Sequence, residues 1–261
     1  MDIFQSIILG ITQGITEFLP ISSSGHLILI PKIFGWQDSG LSFTIALHWG
    51  TLFGVIGYFY KDWLKIFKNA FIRSGNSINN NQSKILYFII FATIPGALAG
   101  YFFENYAETI FRNSTLVSIT LIAAGIILFI SDVTGKKIRQ INSITLKSAI
   151  IIGFAQALAI IPGVSRSGIT IAAALFLGLS RNDAARFSFL LATPIILGAG
   201  LIKLPSILNS GIDSIFIAGF LSSAIAGFLS IKWLLKYLQT KSYFIFVIYR
   251  IILGIIFLLF I

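Results

Sequence analysis

Long apolar runs, separated by short polar stretches, organise most of this chain. A helix rises about 1.5 Å per residue, so roughly 20 largely apolar residues are needed to cross a bilayer. The pattern therefore predicts an all-α polytopic membrane protein. Six runs satisfy the length requirement and predict transmembrane helices over residues 41–60, 85–103, 114–130, 187–204, 213–232 and 243–261.

Two further apolar regions are interrupted by Gly, Pro and Ser residues. Residues 3–34 are broken by Leu-Pro-Ile-Ser-Ser-Ser-Gly at 19–25, and residues 148–178 by Pro-Gly-Val-Ser-Arg-Ser-Gly at 162–168. The halves on either side are too short to cross a bilayer comfortably. Irregular backbone at membrane depth is tolerated only where protein or a water-filled cavity satisfies it. Both regions are therefore predicted to be re-entrant helix–loop–helix segments.

The composition agrees with a protein surrounded by lipid. Hydrophobic residues make up 56% of the chain and charged residues 11%, with a mean hydropathy of +0.93. An ordinary soluble domain carries about 25% charged residues, so soluble, disordered and nucleic-acid-binding classes are excluded. The chain has no cysteine. Disulfides, Cys-ligated metals and Cys nucleophiles are therefore excluded as well.

The basic residues predict the orientation of the helices. The chain has 19 Lys and Arg and a net charge of +10. Most of them fall within 61–84, 131–147, 181–186 and 232–241, which the predicted spans place on one side. Cytoplasmic loops of membrane proteins carry an excess of Lys and Arg, so that side is predicted to be cytoplasmic. The charge is thus a topology signal, and no nucleic-acid partner is expected beside the lipid bilayer.

The two interrupted regions are copies of each other. They align without a gap at a shift of 143 residues, which superposes Ser-Ser-Ser-Gly at 22–25 on Ser-Arg-Ser-Gly at 165–168. The predicted orientation makes the first region enter from the non-cytoplasmic side and the second from the cytoplasmic side. We therefore expect an inverted-topology repeat, with residues 1–130 and 148–261 as its halves. Sites in such folds form at the repeat interface near the bilayer midplane.

The copies share a scaffold but divide the reactive groups between them. This division indicates one composite site rather than two. Glu17 aligns with Ile160, Ser23 with Arg166, and His26 with Ile169.

Arg166 indicates that the composite site binds an anion. A guanidinium at mid-membrane costs on the order of 3 kcal/mol, so it should face a cavity or a partner. Its fork of donors suits a phosphate or a carboxylate. Helices starting near Ser23 and Ser167 would direct free N–H groups at the same place. The alternative is a structural arginine that ties loop carbonyls together.

Gln13 and Glu17 lie four residues apart, on one face of a helix. Glu17 could hold a cation together with Gln13, act as a base, or pair with Arg166. His26 follows the serines and is a candidate acid or base. His48 is interpreted as structural or peripheral, and Arg250 carries no motif.

Serine hydroxyls, a histidine, a carboxylate and a guanidinium compose a site for phosphoryl transfer. The substrate must reach the membrane interior, so a phosphate or diphosphate with an apolar tail is expected. The predicted catalytic residues are Glu17, Ser23, His26 and Arg166. The predicted phosphate-binding residues are Gln13, Ser22, Ser24, Gly25, Ser165, Ser167 and Gly168.

Four segments carry a resemblance to a known family. Residues 13–26, 162–168, 187–194 and, more weakly, 94–96 resemble motifs of the bacterial undecaprenyl-diphosphate phosphatases, the bacitracin-resistance family. The resemblance implies hydrolysis of undecaprenyl diphosphate to the monophosphate carrier lipid of cell-wall synthesis. It also implies a divalent cation (Mg²⁺ or Ca²⁺) and an active site on the outer face of the bacterial cytoplasmic membrane. By the same resemblance, Thr170 joins the phosphate-binding set.

Two positions depart from the pattern expected of that family. Gln13 stands where Glu or Gln is accepted, which weakens a model with two metal-ligating carboxylates. Arg186 stands where some relatives are expected to carry Glu, so it is given no catalytic role.

The residues leave the chemistry open between a Ser23 nucleophile and water aided by a Glu17-held metal. His26 could be the base in either case, or itself the nucleophile, and the resemblance favours Ser23. A polyprenyl-phosphate transporter or flippase is the main rival function, and a scaffold for cell-wall enzymes is a third. A homodimer is left open.

Overall fold

The computed structural model describes residues 1–37, 40–71, 81–205 and 211–260, without the side chains of residues 41–42, 81–83, 104, 108, 112 and 260. Within these ranges the chain is built from α-helices, three short 3₁₀ turns and a single β-bridge, so the predicted all-α class is confirmed. The helices are α1 Ile3–Phe18, α2 Ser23–Phe34, α3 Gly40–Phe71, α4 Asn81–Glu108, α5 Ser114–Thr134, α6 Leu146–Ala157, α7 Arg166–Phe176, α8 Arg181–Ile202, α9 Ser214–Tyr237 and α10 Phe244–Phe260.

Helices α3, α4, α5, α8 and α9 each contain a stretch long and apolar enough to cross a membrane, so a multi-pass membrane protein is confirmed. Helix α3 continues past the predicted end at residue 60 to Phe71. Helix α10, predicted as a sixth span over 243–261, has 17 residues and is short for a span. The six-span count, the re-entrant paths and the inverted repeat stay predictions.

Both interrupted regions are broken where predicted, but each break ends three residues earlier, because residues 23–25 and 166–168 already belong to helices. The first break covers residues 19–22, between α1 and α2, and the second covers residues 158–165, between α6 and α7. Each break contains a residue that precedes a proline, and the proline ring disfavours helical backbone there. Leu19 and Ile161 accordingly adopt extended conformations, with ψ of 140° and 117°.

Small residues bring α1 and α3 close to α9. A Cβ added at Gly14 of α1 would lie 2.6 Å from the Ala226 Cβ, and one at Gly50 of α3 would lie 2.4 Å from the Phe220 carbonyl oxygen. Glycines at such positions let helix backbones approach closely where lipid offers no hydrophobic driving force. This packing fixes the end of α1, which carries Glu17.

A polar cluster ties α5, α8 and α10 together at the predicted cytoplasmic end. The Asp132 carboxylate accepts hydrogen bonds from the Arg181 guanidinium and from the Tyr243 backbone N–H. Arg186 pairs with Asp62 and stacks over the Phe59 ring. Arg186 is thus engaged in a structural ion pair between α8 and α3.

The predicted orientation can be tested across α5 with single cysteines, because the chain has none of its own. Ile110 and Ile138 flank this helix and are 62% and 78% exposed. We expect a membrane-impermeant maleimide, added outside intact cells, to label Ile110→Cys but not Ile138→Cys. Ile138→Cys should react only after the membrane is opened. Labelling of both variants from outside would contradict a full crossing by α5, and the reverse pattern would invert the orientation.

Candidate active site

The two breaks have the same local geometry. Ser22 and Ser165 both have positive φ, 74° and 71°, which non-glycine residues adopt rarely. Each serine caps the helix that follows by accepting a hydrogen bond from a backbone N–H three residues on, that of Gly25 at 3.4 Å and that of Gly168 at 3.2 Å. Positions that align in the sequence are therefore equivalent in conformation.

The breaks lie against each other. The Ser167 hydroxyl of the second break region donates to the Leu19 carbonyl of the first at 3.1 Å. Ser23 is the first residue of α2 and Arg166 the first residue of α7. The two helices thus begin at neighbouring points, as the composite site requires.

Glu17 lies at the centre of this meeting point. Its Oε1 accepts a hydrogen bond from Arg166 Nη2 at 2.8 Å. Its Oε2 accepts one from the Ser23 hydroxyl at 2.7 Å and one from Gln13 Nε2 at 3.0 Å. The carboxylate is 6% exposed. Of the three interactions considered for Glu17, pairing with Arg166 is the one observed, and the carboxylate lies between Ser23 and Arg166.

Helix α8 holds Arg166 from the other side. Arg166 Nη1 donates to the Ser188 carbonyl at 3.0 Å, and the Thr170 hydroxyl lies 2.7 Å from the Ser188 hydroxyl. Thr170 is fully buried and also donates to the Arg166 carbonyl. Its hydroxyl therefore joins α7 to α8 and helps to orient Arg166.

The remaining predicted phosphate-binding residues fall into two groups. Ser24 is exposed, whereas the others are buried at the starts of α2 and α7. The buried members shape the backbone that presents the helix N-termini. They are Ser22, Gly25, Ser165, Ser167 and Gly168.

The two histidines have different surroundings. His26 is buried; its Nδ1 donates to the Ser22 carbonyl at 2.7 Å, and its Nε2 lies 2.6 Å from the Tyr249 hydroxyl. His48 lies closer to Glu17 than the sequence predicted. Its Nδ1 lies 2.8 Å from the Thr44 carbonyl, and its Nε2 lies 3.9 Å from Glu17 Oε2 on a side chain that is 37% exposed. The imidazole of His48, which was expected to be structural or peripheral, therefore lies next to Glu17.

The donor set does not fit a resident cation. Glu17 is already paired with a guanidinium, and the described residues contain no group of three or more His, Cys, Asp or Glu that could hold a metal. Gln13 Oε1 is buried without a hydrogen-bond donor and is a free oxygen. One neutral oxygen falls far short of the roughly six ligands that Mg²⁺ or Ca²⁺ takes. The cation expected at Glu17 and Gln13 stays a prediction.

The sequence analysis missed the contribution of α10. Arg250 is fully buried and donates to carbonyls of both breaks, and its neighbour Tyr249 contacts His26. The only sequence signal was a lone arginine in an apolar run. Ser188 was noticed as part of a motif, but its contact with Arg166 was not expected.

Fold and site together define a multi-pass membrane protein with one buried polar site built from two broken helices. The chain belongs to the bacitracin resistance protein BacA family, whose model matches residues 6–256. A protein of Pelotomaculum thermopropionicum named undecaprenyl-diphosphatase is 48% identical, over 97% of this chain and 95% of the relative. Proteins of the same name from Moorella thermoacetica and Geobacter sulfurreducens are 49% and 46% identical, each over 97% of this chain and 96% of the relative.

Replacing Gln13 tests the cation. In Gln13→Glu, a second carboxylate would face Glu17 at the hydrogen-bonding distance now occupied by an amide N–H. Two carboxylates that close repel each other unless a cation or a proton lies between them. We expect the variant to keep phosphate-release activity with Mg²⁺ or Ca²⁺ and to lose more of it than the unchanged protein when a chelator is added. Equal sensitivity of both proteins to the chelator would contradict a cation near Glu17.

Proposed function

We propose that the protein is an undecaprenyl-diphosphatase. It hydrolyses undecaprenyl diphosphate to undecaprenyl phosphate and inorganic phosphate, recycles the carrier lipid of cell-wall synthesis and thereby confers bacitracin resistance. The family and the names of the relatives support this activity. The observation that carries it is the Ser23 hydroxyl donating to Glu17 while Arg166 holds the other oxygen of the same carboxylate.

The diphosphate is placed where the helices begin. The N-termini of α2 and α7 offer backbone N–H groups and the positive ends of two helix dipoles to an anion. Arg166 uses one donor on Glu17 and one on Ser188, which leaves further N–H groups of its fork for phosphate oxygens. The exposed Ser24 hydroxyl lies beside them. The apolar tail then extends into the bilayer.

Ser23 is the nucleophile of the proposed reaction. Its Oγ attacks the terminal phosphorus and Glu17 takes the hydroxyl proton. The bond from this phosphorus to the bridging oxygen breaks, and undecaprenyl phosphate leaves with the bridging oxygen and its electron pair. Glu17 passes the hydroxyl proton to the departing undecaprenyl phosphate and is again a carboxylate. Water then attacks the phosphoserine, Glu17 takes a proton from this water and gives it to the Ser23 oxygen as the Ser–phosphorus bond breaks, and inorganic phosphate and free Ser23 result. Arg166 and the helix N-termini stabilise the charge on the transferred group.

The geometry favours Ser23 over the other nucleophiles considered. The Ser23 hydroxyl is already hydrogen-bonded to a carboxylate at 2.7 Å, the distance at which a base can accept its proton. Both ring nitrogens of His26 are engaged, by the Ser22 carbonyl and the Tyr249 hydroxyl, so His26 is assigned to holding the Ser22 turn. Metal-activated water would need a resident cation, for which the donor set is too small. If a divalent cation binds with the substrate, Gln13 Oε1 would be its protein ligand, and it would supply positive charge to the diphosphate.

A polyprenyl-phosphate transporter or flippase is not favoured. A carrier needs to bind phosphate but has no use for a serine hydroxyl poised on a carboxylate. The relatives are named for a hydrolase. A scaffold function would not require the buried Glu17–Arg166 ion pair. We place the enzyme in the bacterial cytoplasmic membrane with its active site toward the outer side, and it acts as a monomer or a homodimer.

A phosphoenzyme experiment tests the nucleophile. Purified protein in detergent, where transport has no meaning, is mixed with undecaprenyl diphosphate labelled at the terminal phosphorus and quenched in acid. We expect label on the unchanged protein and on Ser24→Ala, and none on Ser23→Ala. Turnover of Ser23→Ala should fall by several orders of magnitude, because the nucleophile is removed. Wild-type turnover of Ser23→Ala would exclude the phosphoserine route.

Conservative replacement of Arg166 tests the phosphate clamp. Arg166→Lys keeps the charge but loses the planar fork that reaches Glu17 and Ser188 together. We expect kcat/KM to fall by roughly 100-fold or more, as for a displaced catalytic group. Arg181→Lys, which alters an ion pair with Asp132 remote from the breaks, is the matched control and should keep its turnover per folded molecule. Near-normal turnover of Arg166→Lys would make this arginine structural.

A further inference from the structure

Arg250 of α10 binds the backbone of three separate segments. Its side chain is fully buried. Nη1 donates to the Pro20 carbonyl of the first break at 3.0 Å. Nη2 donates to the carbonyls of Gly163 and Val164 in the second break at 2.8 and 2.9 Å, and Nε donates to the Leu121 carbonyl of α5 at 3.1 Å. One guanidinium therefore joins both breaks to the same helix.

The surrounding backbone leaves space for this side chain. A Cβ added at Gly168 of α7 would lie 2.8 Å from Arg250 Nη1, and one added at Gly125 of α5 would lie 3.3 Å from the Arg250 Cβ. Glycine at both positions therefore admits the arginine between α5 and α7. Gly168 was predicted to approach a phosphate, and the structure supplies a second reason for a glycine there.

Arg250 also has no acidic partner, unlike three other arginines in the described ranges. Arg166, Arg181 and Arg186 each pair with a carboxylate, whereas no carboxylate lies within ion-pair distance of Arg250 in the described ranges. Burying a cation without a counter-ion is costly. A guanidinium held by backbone carbonyls, most of them in the two breaks, stabilises most where those breaks must keep one arrangement.

We propose that Arg250 is a positioning residue that sets the distance between the two breaks, and hence between Ser23 and Arg166. Pro20 precedes Ser23 by three residues, and Val164 precedes Arg166 by two. Tyr249 adds a second contact from α10 to the first break, through His26 and the Ser22 carbonyl. Helix α10 thus assembles a site to which it contributes no reacting group.

The catalytic consequence rests on the proposed function and is a split between kcat and KM. Phosphate binding draws most on the Arg166 guanidinium, which belongs to the second break, with a smaller contribution from the two helix N-termini. Attack by Ser23 depends more steeply on the separation of the breaks, because the nucleophile and this guanidinium lie on different ones. Arg250→Lys keeps the charge but brings one ammonium instead of a fork. We expect kcat per folded molecule to fall on the order of 100-fold while KM changes little.

Hydrogen–deuterium exchange gives a readout that needs no activity. In Arg250→Lys, peptides covering residues 19–26 and 162–169 should exchange faster, while peptides from α4 and α9 keep their rates. Arg181→Lys is the control, and it should leave exchange at both breaks unchanged. If neither the unchanged protein nor any variant releases phosphate, the proposed function fails. The hydrogen–deuterium exchange rates at the breaks still decide the role of Arg250.

A second variant keeps the test decisive if Arg250→Lys does not fold. Gly125→Ala places a methyl group against the Arg250 side chain without changing any charge, and alanine is a better helix residue than glycine. We expect a smaller fall in kcat, with faster exchange at both breaks. Gly100→Ala is its control, because a Cβ there meets nothing within 4 Å. Unchanged kcat and unchanged exchange at the breaks in the folded variants would overturn the proposal.

Discussion

Broken helices can lie inside an apolar bundle only if the carbonyls freed at each break find donors. Within a helix these groups bond to one another, and lipid offers no alternative. Here side chains from other segments supply the donors, so the breaks and their partners depend on each other. The Ser167 hydroxyl donates to the Leu19 carbonyl, and the Thr120 hydroxyl donates to the Pro162 carbonyl. The Arg250 guanidinium donates to the carbonyls of Pro20, Gly163 and Val164. The candidate active site lies where these hydrogen bonds bring two helix N-termini together.

Glu17 brings a second constraint, because its charge is buried with the carbonyls. Three donors on two oxygens satisfy the carboxylate, and only one of them, Arg166, carries a charge. Removing one partner of such a buried pair typically costs about 3–5 kcal/mol, since the other charge is left uncompensated. Alanine at either position would therefore report on folding as much as on catalysis. Substitutions that keep size and polarity separate the effect on folding from the effect on catalysis. For this reason Arg166→Lys is more informative than an exchange to alanine.

The sequence predicted the elements whose signal lies in neighbouring residues. Apolar runs indicated the long helices, and prolines with serines indicated both breaks. The aligned copies indicated that Glu17 and Arg166 belong to one site. Side chains that bind backbone carbonyls could not be predicted in this way. Every residue carries a carbonyl, and the sequence does not show which carbonyls lack a hydrogen bond within a helix. The role of Arg250 was missed for this reason. The approach of His48 to Glu17 was missed because it depends on how α3 packs against α1.

The distribution of charge at the breaks also bears on which lipid can enter. Within residues 3–34 and 148–178 Glu17 is the only acidic residue, and Arg166 neutralises it. Arg250 remains without a carboxylate among the described residues, so the site keeps an excess of positive charge to which the N-termini of α2 and α7 add. A neutral lipid is not attracted by this positive charge. The phosphodiester of an ordinary phospholipid is substituted on both sides, so it cannot present three free oxygens to two helix ends and a guanidinium. A lipid diphosphate presents an unsubstituted terminal phosphoryl group, and in the proposed arrangement the groups that bind it leave its phosphorus open to Ser23.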